Sequence, residues 1–170
     1  MKYFIIVFSL FAVLSCKKND TKKTSDEVNE NDEIEVYNFS QLKLFLEEEK
    51  DQIYVINFWA TWCKPCIKEL PYFEAMQTKY KGEVSVILVS LDFPDKLESQ
   101  LVPFVSDHAI RSKVVLLDDP YENEWIPKVD STWSGAIPAT LMIKGSKRKF
   151  YEKSFSEKEL ENEILNFKNL

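Results

Sequence analysis

Two nearly continuous apolar runs, at 53–59 and 84–91, constrain this chain more than any other feature, because both are rich in β-branched and aromatic residues. A strand covered on both faces reads this way, since neither face meets water. Between them, residues 63–80 carry a helical pattern broken at Pro71. Strand, helix, strand in that order implies a right-handed parallel crossover. Upstream, 41–46 repeats apolar side chains at helical spacing, with Ser40 available as N-cap. Downstream, 96–108 is predicted helical, 114–117 a short strand and 121–129 another helix, followed by a loop over 131–135. Residues 139–143 and 147–152 flank Lys144-Gly145-Ser146 as a β-hairpin, and Ser156 to Glu159 is a capping box that opens the last helix. The predicted architecture is α/β: a central mixed sheet flanked by helices, with an antiparallel edge pair.

The 170 residues, 45% hydrophobic, suffice for one domain with a real core, expected over 34–170. Lys2 is the one charged residue before Cys16, so the chain from Cys16 on carries 21 basic against 28 acidic side chains. That balance argues against nucleic acid as a partner. The cationic run from Lys144 to Lys149 surrounds a turn and reads as a solvated hairpin tip.

The N-terminal segment reads as an address. Met1-Lys2 is a positive start, and eleven of the twelve residues over 3–14 are apolar, so 1–15 is predicted to be an export signal. The run is shorter than the roughly 20 residues that span a bilayer. Val13-Leu14-Ser15-Cys16 resembles the lipobox of bacterial lipoproteins, which implies lipidation of Cys16 and a membrane anchor; an ordinary cleaved signal is the other reading. Residues 17–33 hold one apolar side chain, Val28, and are expected to be a disordered tether. As a flexible coil it would span roughly 20–25 Å.

The chemistry concentrates at Cys63-Lys64-Pro65-Cys66, where a predicted buried strand meets a helix N-terminus. Unsatisfied backbone N–H groups and the positive end of the helix dipole favour a thiolate there, and the thiolate is the species that attacks disulfides. The two-residue spacing lets the second sulfur reach the first, so Cys63 is read as the attacker and Cys66 as the resolver. Zinc is disfavoured, because a structural site needs four ligands and the other Cys and His are Cys16 and His108 alone. A static disulfide in a tethered binding module remains the alternative, although so short a bridge constrains little chain entropy. A peroxidase would want Thr or Ser three residues before its reactive Cys and a Pro further upstream, and Ala60 and Ile56 stand there.

The stretch Phe58-Trp59-Ala60-Thr61-Trp62-Cys63-Lys64-Pro65-Cys66 resembles the active site of thioredoxin-like proteins, nearest the TlpA and ResA group of exported bacterial thiol-disulfide oxidoreductases, with the likeness running over roughly 34–170. Pro71 matches the proline that kinks the active-site helix, and Ile137-Pro138-Ala139-Thr140 matches the loop whose cis-proline packs against the dithiol. The resemblance implies a thioredoxin fold with Trp62, Pro65, Ile137 and Pro138 as the substrate-binding surface. The 72 residues from Cys66 to Pro138 leave room for the extra strand and helix of that group, expected within 91–114. Asn57 stands where thioredoxins carry a buried Asp, so proton transfer to Cys66 needs another group or water; Glu98, Asp92 and Asp118 are candidates, each otherwise read as a surface charge or cap. Lys64 places a positive charge beside Cys63 that favours its thiolate modestly; from Pro65 and the absence of a His between the cysteines, the pair is read as reducing. Clients would be exported proteins with disulfides, apocytochromes awaiting haem among the candidates. A reducing dithiol in an oxidising compartment requires resupply, so a membrane-embedded electron donor and a periplasm-facing domain are expected, with no metal and no cofactor.

Overall fold

In the computed structural model, which describes residues 33–47 and 51–169, the two apolar runs lie side by side at the centre of a six-stranded sheet. The expected signal, Cys16 and the tether up to residue 32 lie outside the described residues. In chain order the elements are β1 (Glu35–Tyr37), α1 (Phe39–Glu47), β2 (Ile53–Trp59), α2 (Lys64–Lys79), β3 (Val84–Ser90), α3 (Val102–Asp107), β4 (Lys113–Leu117), α4 (Glu122–Val129), β5 (Ala139–Lys144), β6 (Lys147–Tyr151) and α5 (Glu157–Lys168). The strand order is β1-β4-β3-β2-β5-β6. The first four are parallel, whereas β5 runs antiparallel to β2 and β6 antiparallel to β5.

Side chains of successive strand residues point to opposite faces, and each face has its own core. Ile53, Val55 and Trp59 of β2 pack with Val86 and Leu88 of β3 beneath α2 and α5. Ile56 and Phe58 point the other way and meet α1 and α4, with Trp125 and Trp133 filling that side. Phe73 and Met76 of α2 and Phe167 of α5 are almost wholly buried, each stabilising the fold by about 1.5–3 kcal/mol relative to exposure. Among the described residues, no helix is long and apolar enough to cross a membrane.

The expected mixed α/β sheet is present, and local chemistry corrects several boundaries. The N-cap of α1 is Asn38 rather than Ser40: Asn38 Oδ1 accepts from the Gln41 N–H while Gln41 Oε1 accepts from the Asn38 N–H, both at 3.0 Å. Strand β1 has three residues with little apolar pattern and exists because it pairs with β4. The stretch expected to be one helix over 96–108 is compound, with a 3₁₀ turn at Pro94–Lys96 and a π-helical turn at Leu97–Leu101 ahead of α3. His108 closes α3 with its Nδ1 2.9 Å from the Phe104 carbonyl oxygen. The extra helix and strand are α3 and β4, the strand running on to Leu117 and separating β1 from β3.

Candidate active site

Strand β2 ends at Trp59, and the chain must turn before α2 can pack back across the sheet. Asp92, just beyond the end of the neighbouring β3, fixes that turn. Its carboxylate accepts from the Thr61 N–H at 3.0 and 3.1 Å, from Thr61 Oγ1 at 2.6 Å and from Ser90 Oγ at 2.7 Å. The Cys63 N–H then bonds the Ala60 carbonyl oxygen at 3.1 Å. Cys63 follows as the N-cap of α2, with Pro65 within its first turn, where a missing N–H costs nothing.

Cys63 and Cys66 are joined by a disulfide. Cys63 Sγ also accepts from the Cys66 N–H at 3.3 Å, so the sulfur occupies the place an oxygen holds in an ordinary helix cap. A thiolate there would meet the same N–H and the positive end of a 16-residue helix. Both cysteines are buried, Cys63 at 5% exposure, while Trp62, Lys64 and Pro65 around them are exposed.

The second wall comes from the segment ahead of β5. The Ile137-Pro138 bond is cis, and the Ile137 carbonyl oxygen is 3.9 Å from Cys63 Sγ. This loop is held from both sides. Trp133 anchors it on the sheet, its ring 4.7 Å from that of Phe58, and its Nε1 donates to the Ala136 carbonyl at 2.8 Å. From the end of β6, the Glu152 carboxylate accepts from the Ser134 Oγ, from the Ser134 N–H at 3.1 Å and from the Ala136 N–H at 3.0 Å. The Ser134 bonds hold Glu152 below the usual carboxylate range. Gly135 turns the loop at φ +94°, in the left-handed region.

Sequence reasoning did not find Glu69. It lies one helical turn beyond Cys66 on the sheet-facing side of α2 and is 1% exposed. Its Oε1 accepts from Asn57 Nδ2 at 3.1 Å and its Oε2 from the Phe155 N–H at 2.7 Å. Burial outweighs both bonds and pushes its pKa up to about 7. Asn57, opposite Thr140 in the β2–β5 register, also directs Nδ2 to Thr140 Oγ1 at 3.1 Å, which leaves its Oδ1 buried without a partner. The signal was in the spacing: Cys66, Glu69, Leu70 and Phe73 fall on one buried stripe, and an acid in such a stripe is out of place.

The proton-transfer candidates named from sequence behave differently. Asp92 is buried and corrects the expectation of a surface charge or cap, its oxygens being occupied by the turn at Thr61. Glu98 is exposed on the π-helical turn, in a crevice shared with β1, and Asp118 is exposed past the end of β4. Trp125 and Trp133 are both core residues that also line a groove beside the disulfide.

Comparison with known proteins agrees with this geometry. The chain is 32% identical over 74 residues to the thioredoxin-like protein YneN of Bacillus subtilis, an overlap of 44% of each. It is 33% identical over 102 residues to the thiol-disulfide oxidoreductase ResA of Bacillus cereus, covering 59% of this chain and 54% of that protein. The chain thus spans about half the length of these curated relatives. A thioredoxin-related protein from Neisseria meningitidis serogroup B superimposes with a TM-score of 0.61 at 22% identity, covering 74% of this chain and 91% of that one, which shows a shared thioredoxin-like fold. Residues 21–147, from ahead of β1 through β5, match the profile of the AhpC/TSA family, and the chain belongs to that family.

Proposed function

We propose that the chain is a thiol-disulfide oxidoreductase that reduces disulfides of exported client proteins through Cys63 and Cys66. One observation carries this reading: the cystine sits at the mouth of α2, with Cys63 Sγ accepting a helix N–H and lying beside the carbonyl that precedes cis-Pro138. The reaction is an exchange of two electrons. The Cys63 thiolate attacks one sulfur of the client disulfide, forming a mixed disulfide and releasing the other client sulfur as a thiolate. Cys66 loses its proton and attacks Cys63 Sγ, which expels the second client thiolate and regenerates the Cys63–Cys66 disulfide. The client takes up two protons, and this chain is left oxidised. Glu69, buried one turn from Cys66, is the group that takes the Cys66 proton. Trp62, Pro65 and Ile137 form the client-facing surface, and Pro138, itself buried, sets the course of the backbone there.

The reductive direction rests on Pro65 and the absence of a His between the cysteines, because a His there would stabilise the Cys63 thiolate and make the disulfide a stronger oxidant. Exchange is favoured over peroxide reduction because Ala60, with no hydroxyl, stands three residues before Cys63. Over 1–33 the reading is a signal (1–15), a lipidated Cys16 and a tether that holds the domain at the cell envelope on the periplasmic side. A membrane-embedded dithiol donor returns electrons to the pair, and apocytochromes are one client class.

Two measurements test the proposal. The reduced full chain is expected to reduce insulin disulfides, and Cys66→Ser is expected to accumulate mixed disulfides through Cys63 that dithiothreitol releases. A cystine that resists dithiothreitol, or a Cys66→Ser chain that traps nothing, would sink the exchange reading in favour of a binding module with a structural disulfide.

A further inference from the structure

Beside the disulfide runs an open groove of about 480 Å³ that the exchange step itself does not use. Trp125, Ile126, Trp133 and Leu117 give it an apolar floor, and Trp62 and Phe93 stand at its lip, 57% and 65% exposed. Ile137, whose carbonyl oxygen is 3.9 Å from Cys63 Sγ, also lines the groove. The charged residues that line it are all acids, Asp92, Asp118, Asp119 and Glu122, with no Lys or Arg among the lining residues.

Two of those carboxylates cannot swing away. Asp92 is tied to Thr61 and Ser90, and Asp119 accepts from the Phe39 and Tyr121 N–H groups, both at 3.0 Å. Asp118 and Glu122 are exposed above the floor. Fixed negative charge over an aromatic surface is complementary to a cation on an apolar stem, because the stem packs on the rings while the head meets both the carboxylates and the ring faces.

We propose that this groove docks an extended client segment in which Lys or Arg lies close to an aromatic or aliphatic residue, a few residues from the cysteine that meets Cys63. The proposal deepens the exchange reading and rests on it. A folded surface or a small ligand fits less well, since a chain whose cysteine is seated at Cys63 passes Ile137 and continues into the groove at about 3.3 Å per residue. A second copy of this chain, with a net charge of −6, is electrostatically mismatched.

The test separates docking from chemistry by using the oxidised full chain and cysteine-free peptides. One peptide carries Lys and Arg beside Phe and Leu, and its counterpart has every cation replaced by Glu. Three of the four tryptophans line the groove, so intrinsic fluorescence reports occupancy. The basic peptide is expected to bind about tenfold more tightly at low salt, with the advantage shrinking as ionic strength rises. The paired substitution Asp118→Asn with Glu122→Gln is expected to weaken the basic peptide several-fold and not the acidic one. Equal binding of the two peptides, a preference that neither salt nor the paired substitution alters, or self-association in place of peptide binding overturns the groove proposal. A chain that binds the basic peptide but reduces no disulfide overturns the exchange reading instead.

Discussion

Glu69 is the residue at which burial and chemistry meet. A carboxyl group ordinarily titrates at 4.5, and burial raises this one to about 7. The unfolded chain therefore releases the proton near 4.5 while the folded chain keeps it until about 7, so stability falls as pH rises between those values and levels off above them. At 1.36 kcal/mol per unit, the loss approaches about 3 kcal/mol. Carboxylates whose pKa values are lowered, such as Glu35 and Glu163, act with the opposite sign and at lower pH, since what they contribute is lost only as pH falls below their ordinary range. Glu69→Gln is expected to abolish the decline, read as urea midpoints of the oxidised chain at pH 5 and pH 8. An equally steep decline in the variant would show that the burial does not retain a proton. Whereas Cys63 and Cys66 were legible because their relation is local, Glu69 was one acid among 28, and its significance depends on Asn57 and Phe155, brought to it from 12 residues upstream and 86 downstream.

At the scale of elements, the loop that carries cis-Pro138 has no regular structure, so side chains must hold it. Trp133 ties it to the sheet, and Glu152 supplies the other support through the Ser134 and Ala136 bonds. Those bonds join exposed groups, and such contacts contribute little to global stability. Their effect is on position, and small displacements of a reacting surface are costly. Glu152→Ala is expected to leave the melting temperature close to that of the wild type while lowering kcat/KM for a client disulfide several-fold, mainly through KM. Glu152→Gln, which keeps an acceptor oxygen, should recover part of the loss; unchanged kcat/KM in Glu152→Ala would remove any role for this support. The long apolar elements β2 and β3, the hairpin and the capping box of α5 were readable, since each is specified by its own residues. What escaped is decided by contacts elsewhere: β1 is defined by β4, the α1 cap by a Gln three residues on, and the π-helical turn by the fit of Leu97 and Leu101 under the sheet.

For the whole molecule, the sheet order divides the chain into a rigid centre and a reactive end. Strands β2 and β3 have neighbours on both sides and helices on both faces, so their amides should open only when the domain unfolds. Edge strands β1 and β6 each have one neighbour, and β1 is only three residues long. The disulfide, the Thr61 turn and the cis-proline loop cluster where β2 and β3 end and β5 begins. Apart from Glu69, which is bonded to Asn57 of β2, every group the exchange cycle rearranges thus lies outside the hydrogen-bonded centre. Native-state hydrogen exchange is therefore expected to show two responses on reduction. The amides at 55–58 and 86–89 should retain full protection in both redox forms, exchanging at the rate of global unfolding. Those at 61–64, 66–68 and 134–137 should exchange faster once the Cys63–Cys66 bond no longer joins the first turn of α2. If instead the central strands lost protection on reduction, redox change would be coupled to the stability of the entire sheet, and a fixed platform with chemistry confined to one edge could not describe how this chain works.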